Sequence, residues 1–249
     1  MFAYYLNLAL RSLRRNRVLT TLMVLSLALG IGACITTLTV YHLLSGDPLP
    51  QRSAQLFYPQ LDPYPKDQPF SRSDKMPWLM TYVDAMNLLH AHKAERQAVM
   101  AMTQVKVTPP KAGRKPFFSD GVMTTSEFFP MFDVPFQYGS GWTAADDDNR
   151  VPVVVIAGFL NEKLFGGANS VGREIHINEQ IFRIVGVLRQ WEPEPRFYGL
   201  RLGGHDYGQG DAVFLPLQSA RAAGMSPQVS MSYGQENSPQ LETAKSIWL

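Results

Sequence analysis

From Val18 to Tyr41 the chain reads VLTTLMVLSLALGIGACITTLTVY, without one charged residue. At 1.5 Å per helical residue, a run of about 24 residues reaches ~36 Å and crosses a ~30 Å hydrocarbon layer with some tilt. The run predicts a transmembrane helix, assigned to residues 18–44. Arg11, Arg14, Arg15 and Arg17 precede it, whereas every acidic residue lies at Asp47 or later. Cytoplasmic flanks carry the excess of positive charge, so the N-terminus is expected inside and residues 45–249 outside. A cleaved signal peptide also starts basic, but its apolar core spans only ~7 to 15 residues and ends at a small-x-small site. Here the run leads into Leu43-Leu44-Ser45-Gly46-Asp47-Pro48, which favours a retained, single-pass anchor. On this topology a residue such as Ser170 should be open to labelling from outside.

Residues 1–17 form the inner flank. Phe2, Tyr5, Leu6, Ala9 and Leu13 fall on one helical stripe, and Asn7, Arg11 and Arg14 on another, as in an amphipathic helix lying on the lipid surface. A plain basic flank is the alternative. Within the span, Ser26, Gly30 and Ala33, with Ala28, Gly32 and Thr36, leave small faces on which a second helix could pack. Small residues are also common in any membrane helix.

Beyond the span the chain has the means to build a core: 249 residues in all, 45% apolar and 18% charged. Removing the four N-terminal arginines from 23 basic residues leaves 19 against 21 acidic ones, a net −2 that argues against a nucleic-acid partner. The single cysteine, Cys34, lies inside the apolar run, which excludes an internal disulfide and disfavours thiol chemistry.

Six prolines between Asp47 and Asp74 predict an extended connector, with at most a short strand at Leu56 to Tyr58. Helical spacing of apolar residues predicts a helix over Trp78 to His92, and alternation predicts strands over Val99 to Thr108 and Phe117 to Met123. Ser126 is placed to cap a turn of helix over Glu127 to Phe132, followed by an irregular loop from Pro135 to Gly141. The β-branched run Val151 to Ile156 reads as a buried strand, and Phe159 to Phe165 as a helix stopped by Gly166-Gly167. Glu174 to Ile177 and Ile181 to Leu188 form a hairpin about Asn178-Glu179, and Ala212 to Leu217 adds a strand. Strands and helices mix without a βαβ period, which defines an α+β fold: a mixed sheet with packed helices. After Leu217 the pattern turns polar, and Ile247 reads as the start of a strand whose continuation is missing. A truncated domain with an unpaired sheet edge is the corresponding expectation.

The search for chemistry returns no catalytic, cofactor-binding or metal-binding constellation. There is no G-x-x-x-x-G-K-[ST] and no G-x-S-x-G. His90 and His92 are about 200° apart on a helix and cannot share a metal. Asp146-Asp147-Asp148 lacks the alternation, glycine and closing glutamate of a calcium loop and reads as a solvated turn. Glu162 and Lys163 read as surface charges, and His205-Asp206-Tyr207 as a turn between glycines. Phe128, Phe129, Phe132, Phe136, Tyr138 and Trp142 form an aromatic cluster, read as core packing in preference to a ligand pocket.

The segment from Ser126 to Leu188 resembles the periplasmic core domain of MacB-like ABC transporter permeases, which belong with the FtsX-like permeases. The resemblance rests on Phe128, Phe132, Val134 and Pro135, on Gly139 and Trp142 with Asp146 to Asp148, on Leu164 to Gly167, on Val171-Gly172 and Val185 to Val187, and on Asp211 to Leu217. It implies a subunit with one N-terminal membrane helix, a large periplasmic α+β domain and three later helices. It also implies a dimer of permeases, alike or different, driven by an ABC ATPase, separate or fused, that supplies motion across the membrane; for this chain the expected partner is a separate ATPase subunit. The later helices are not in this chain. The expectation is therefore a permease subunit or a truncated fragment of one. It would lie in the bacterial inner membrane among lipid, without enzymatic activity or cofactor of its own, and would export or extract an unidentified substrate. A membrane-anchored periplasmic binding or signalling module without an ATPase is the alternative from another class, and an anchored hydrolase a remoter one.

Overall fold

The computed structural model describes residues 4, 5, 7, 11, 14–61, 80–111, 113–193, 195–199, 209–228 and 246–247. It divides into two units, Met1–Gly46 and Asp47–Leu249. In the first, α1 (Arg17–Leu44) is a single uninterrupted helix, about 42 Å long at 1.5 Å per residue, with no buried residue. A soluble protein's core helix would be covered by its own chain; this one is long and apolar enough to cross a membrane and none of it is covered. Four of its hydroxyls bond within the helix: Thr21, Thr36 and Thr37 donate to the carbonyls of Arg17, Gly32 and Ala33 four residues back, and Ser26 to Met23 three back. Such bonding suits a helix that has no water to turn to. Most of the 1–13 stripe lies outside the described residues.

The second unit is built on a seven-stranded mixed sheet. Its strands are β2 (Met100–Thr108), β3 (Phe117–Thr124), β4 (Phe136–Gly139), β5 (Val153–Ile156), β6 (Glu174–Ile177), β7 (Gln180–Leu188) and β8 (Val213–Pro216). The spatial order is β4-β7-β5-β8-β3-β2-β6, and β6 also pairs with β7. The sheet thus curls until β6 closes it. The β5–β7 and β3–β8 ladders are parallel and the others antiparallel. Of these strands, β4 is the one paired along one side only.

Alternation explains why several strands read as continuous apolar runs. Val154 and Ile156 of β5, Val213 and Leu215 of β8, and Val105 and Val107 of β2 enter one core cluster. Val153, Val155, Phe214, Met100 and Met102 enter a second cluster on the opposite face. Where both faces are covered, as along β5 and β8, neither needs a polar register. The first cluster is covered by α2 (Tyr82–Ala91), α5 (Gly158–Phe165) and α6 (Leu217–Ala222). The second is covered by α3 (Phe128–Met131) and by the stretch containing Trp191, Phe197 and Tyr198. A further short helix, α4 (Ala144–Asp148), begins at a capping box between Thr143 and Asp146.

Most predicted elements stand within a residue or two, and four expectations are corrected. Pro135 to Gly141 is not an irregular loop, because β4 forms there against the end of β7, with a register shift between Phe136 and Tyr138. Ser126 does not cap α3; its N–H is taken by Asp147, and the helix opens from Glu127 without a side-chain cap. Leu56 to Tyr58 is no strand, and the connector instead makes a 3₁₀ turn at Ser53–Gln55. Ser246–Ile247 (β9) pairs antiparallel with Met80–Thr81 (β1) in a separate two-stranded ladder. The large sheet closes without β9, so the strand predicted near Ile247 does not extend that sheet; among the described residues its one partner is β1. The connector from 62 to 74 lies outside the described residues.

Candidate functional site

The stretch that follows α1 is fastened to the domain by charge and by apolar contact. Asp47 accepts hydrogen bonds from the Ser53 hydroxyl and, at 2.9 Å, from the Leu49 N–H; these hold its carboxyl below the usual 3.8. The 3₁₀ turn then presents Arg52 to Asp133, immediately beyond α3. Nε donates to Oδ2 at 2.5 Å and Nη2 to Oδ1 at 2.6 Å, a two-pronged fit of guanidinium to carboxylate. Asp133 holds a left-handed backbone, φ 48°, which aspartate tolerates better than most residues. Leu49, Leu56 and Tyr58 pack against the second core cluster on either side of this pair.

Next to Asp133 lies an open groove of about 550 Å³ whose floor includes Phe129, Phe136 and Trp142 and whose rim carries Glu127 and Asp133. Gly141 is required here, since a Cβ would stand 2.5 Å from the Phe129 ring. Gly139 is required for a second reason: its φ is +67°, and a Cβ there would strike the Val185 carbonyl.

Behind the groove, Asp147 is buried on α4 and ties two of its walls together. One carboxylate oxygen accepts the Trp142 indole N–H at 2.9 Å and the other the Ser126 backbone N–H at 2.7 Å. Burial pushes its carboxyl up from 3.8 to about 6, with a smaller push from Asp148, against the lowering effect of its hydrogen bonds. The reading of Asp146 to Asp148 as a solvated turn is thus corrected at Asp147. The three aspartates differ in what they do: Asp146 caps α4, Asp147 is a buried acceptor, and Asp148 is exposed.

A second buried polar group lies on the same side of the sheet. Asp211 accepts the Tyr198 hydroxyl at 2.8 Å and faces Arg196 Nη1 at 3.4 Å, while Arg196 Nη2 donates to the Gln209 carbonyl at 2.7 Å. Burial and the neighbouring carboxylate raise the Tyr198 hydroxyl well above 10. Trp191 stacks on Tyr198 with ring centroids 5.3 Å apart. The network pins together both ends of the excursion between β7 and β8.

The other sequence candidates scatter. His90 and His92 are exposed, and His92 is the left-handed C-cap of α2. Glu162 and Lys163 lie on the outer side of α5. His205 to Tyr207 lies outside the described residues. Phe128, Phe129, Phe132 and Trp142 are core, joined by Trp191, Phe197, Tyr198 and Phe214; Phe128 is ringed by aromatic neighbours at 5.0 to 5.9 Å. Among the described residues no three His, Cys, Asp or Glu side chains gather as a metal would require. Ser170 is fully buried, its hydroxyl donating to Asn161 at 2.6 Å, so it cannot serve as the labelling site expected of it.

An uncovered apolar helix, followed by a domain that grips the chain leaving that helix, defines a membrane-associated module. The family is shown by sequence: the model of the MacB-like periplasmic core domain matches residues 20–244, and the chain belongs to that family of ABC transporter permease domains, whose members work with ATPase subunits. The chain is also similar to the pyoverdine export ATP-binding/permease protein PvdT of Pseudomonas aeruginosa, 37% identical over 65 residues. That match spans 26% of this chain and 10% of the relative. Among solved structures it is similar to the periplasmic region of MacB from Actinobacillus actinomycetemcomitans, with a TM-score of 0.45 and 15% identity over 59% of this chain and 61% of that one. The extracellular domain of the noncanonic ABC-type transporter YknZ from Gram-positive bacteria gives a TM-score of 0.43 and 16% identity, covering 59% and 67%.

Proposed function

We propose that this chain is a permease subunit, or a piece of one, of a MacB-like ABC system. Residues 18–44 cross the bacterial inner membrane once with the N-terminus in the cytoplasm, and residues 45–249 form the periplasmic domain. A separate ABC ATPase supplies the motion, and two permease chains, alike or different, pair in the membrane. The observation that carries this reading is the fastening of the connector. A loose tether needs neither a two-pronged ion pair nor three apolar contacts within 14 residues of the helix end, and both are present here. A segment held in this way passes displacement of the span to the sheet. Cargo is a substrate moved or extracted by that displacement, and its chemistry is not read from these residues.

The test is native isolation of the chain, tagged at its own locus and extracted in mild detergent. An ABC ATPase should co-isolate in stoichiometric amount, and its coding sequence should lie beside one encoding further spans. Recovery of the chain without any ATPase would favour the anchored binding module. For that second reading the apolar floor of the groove at Phe129 and Trp142 would be the place to look.

A further inference from the structure

From Gln97 to Ser119 the chain contains four cations, Lys106, Lys111, Arg114 and Lys115, and no carboxylate. The β2–β3 ladder folds this stretch into a hairpin whose tip presents Lys111, Arg114 and Lys115 to solvent. A fifth cation joins them: Arg114 Nη1 donates to the Lys163 carbonyl at 3.1 Å, and Lys163 Nζ stands 3.4 Å from the centre of the Phe117 ring. Among the described residues no carboxylate pairs with Lys111, Arg114, Lys115 or Lys163, whereas Lys106 pairs with the exposed Glu179 at 3.0 Å. On a chain whose residues beyond the span sum to −2, such a tip concentrates the opposite sign.

Beside the tip, the outer face of the sheet is bare. Phe118 is 70% exposed and lies opposite Lys106; Ile181 is 48% exposed and lies opposite His176, which in turn pairs with Thr108. These side chains share one face of four neighbouring strands, β3, β2, β6 and β7. Exposed aromatic and aliphatic groups flanking unpaired cations mark a docking surface more than a solvated face does.

We infer that this hairpin tip and the adjoining face dock an acidic protein segment that lays apolar side chains across Phe118 and Ile181. Charge complementarity selects the partner's sign. A lipid surface fits less well. The tip's own residues, Pro109, Pro110, Gly113 and Pro116, offer no large apolar group to insert, and Phe118 and Ile181 sit on the strands behind it, where a protein segment reaches but a bilayer touching the tip does not. The nine residues of β2, roughly 26 Å end to end at ~3.3 Å per step, separate this tip from the strand end next to α3 where the connector is held, so the two contacts do not compete. The inference does not depend on an ATPase partner.

Its test uses the full chain in nanodiscs of zwitterionic lipid and a fluorescent 12-residue peptide of glutamates around two central leucines, read by polarisation from 50 to 300 mM salt. Saturable binding is expected, weakening as salt rises, and the glutamine analogue should not bind. The triple variant Lys111→Glu, Arg114→Glu, Lys115→Glu should bind at least tenfold more weakly with a shallower salt dependence; all three side chains are exposed, and unchanged circular dichroism confirms the fold. Phe118→Ser should weaken binding about threefold and leave the salt dependence as it was. Absence of binding at 50 mM salt, or equal binding by the triple variant, overturns the inference. So does capture of phosphatidylglycerol vesicles by a protein that ignores the peptide.

Discussion

Replacing Asp147 by asparagine should change how the domain's stability depends on pH, in a direction fixed by the burial of its carboxyl. Its folded value of about 6 lies above the ordinary 3.8, so between those values the folded chain holds a proton that the unfolded chain has released. The stability gained from this group is complete below about 3.8 and is lost as pH rises through 6. A displacement of this size corresponds to about 3 kcal/mol at ~1.36 kcal/mol per pH unit. Solvent reaching the outer side of a five-residue helix reduces that to roughly 2 kcal/mol. Asp47 and Asp146 act oppositely and lower down: their carboxyls are held below 3.8, so their stabilisation is present above that value and fades only in stronger acid. Urea unfolding of the full chain and of Asp147→Asn, followed by near-ultraviolet dichroism from pH 4.5 to 7.5, isolates the effect. The amide keeps an acceptor for the Trp142 indole but turns a donor toward Ser126 N–H or leaves it unpaired, a cost of about 1 to 3 kcal/mol that is the same at every pH. The stability of the native chain minus that of the variant should therefore fall by roughly 1 to 2 kcal/mol from pH 4.5 to 7.5, steadily up to about pH 6 and not beyond it. A difference that stays flat, or rises with pH, would show that the carboxyl is not held up by burial.

Further outcomes follow from the same geometry. A double-mutant cycle at Arg52→Ala and Asp133→Ala should give about 0.5 to 1 kcal/mol of coupling, at the upper end for a pair whose side chains are 36% and 58% exposed because the contact is two-pronged. Gly141→Ala should destabilise the domain by about 1 to 3 kcal/mol in urea, since the new methyl meets the Phe129 ring, and should alter the near-ultraviolet dichroism of the adjoining Trp142. Arg196→Met should cost about 3 to 5 kcal/mol in denaturant, because it strips the guanidinium from beside a fully buried Asp211. Ala94→Cys, in a Cys34→Ser background, should react with a membrane-impermeant maleimide on intact spheroplasts; reaction only after lysis would reverse the proposed orientation.

Where one local pattern controls an element, the sequence revealed it. β5 is four β-branched residues buried on both faces, β7 alternates, and α5 ends at a glycine with φ +66°. β4 escaped notice because Pro135 and Gly139 bracket it and only its pairing with the end of β7 makes it a strand. The α6 helix was hidden by Pro216, which closes β8 and starts the helix without a side-chain cap. The site was harder still. Three successive aspartates are identical as letters, and only the fold that brings Trp142 and Ser126 to the middle one buries it. Arg52 and Asp133 are 81 positions apart, and neither stands in a pattern that announces the other. The aromatic cluster was legible as core, though Trp191, Phe197, Tyr198 and Phe214, which complete it, come from distant stretches.

Hydrogen exchange along the connector tests most directly whether the chain leaving the membrane helix is fastened to the domain. Inside the 3₁₀ turn and its approach, the N–H groups of Arg52, Ser53, Gln55 and Leu56 are bonded to the carbonyls of Leu49, Arg52 and Ser53. In the full chain in nanodiscs, the peptide spanning residues 49–58 should exchange at least tenfold more slowly than a free peptide of the same sequence. In Asp133→Ala its protection should fall by about two- to fivefold, as the loss of a pair worth about 0.5 to 1 kcal/mol requires, while β5 and β8 stay protected. Exchange at the free-peptide rate in the native chain would mean that the connector is a loose tether, and the proposal that the span moves the domain would fail.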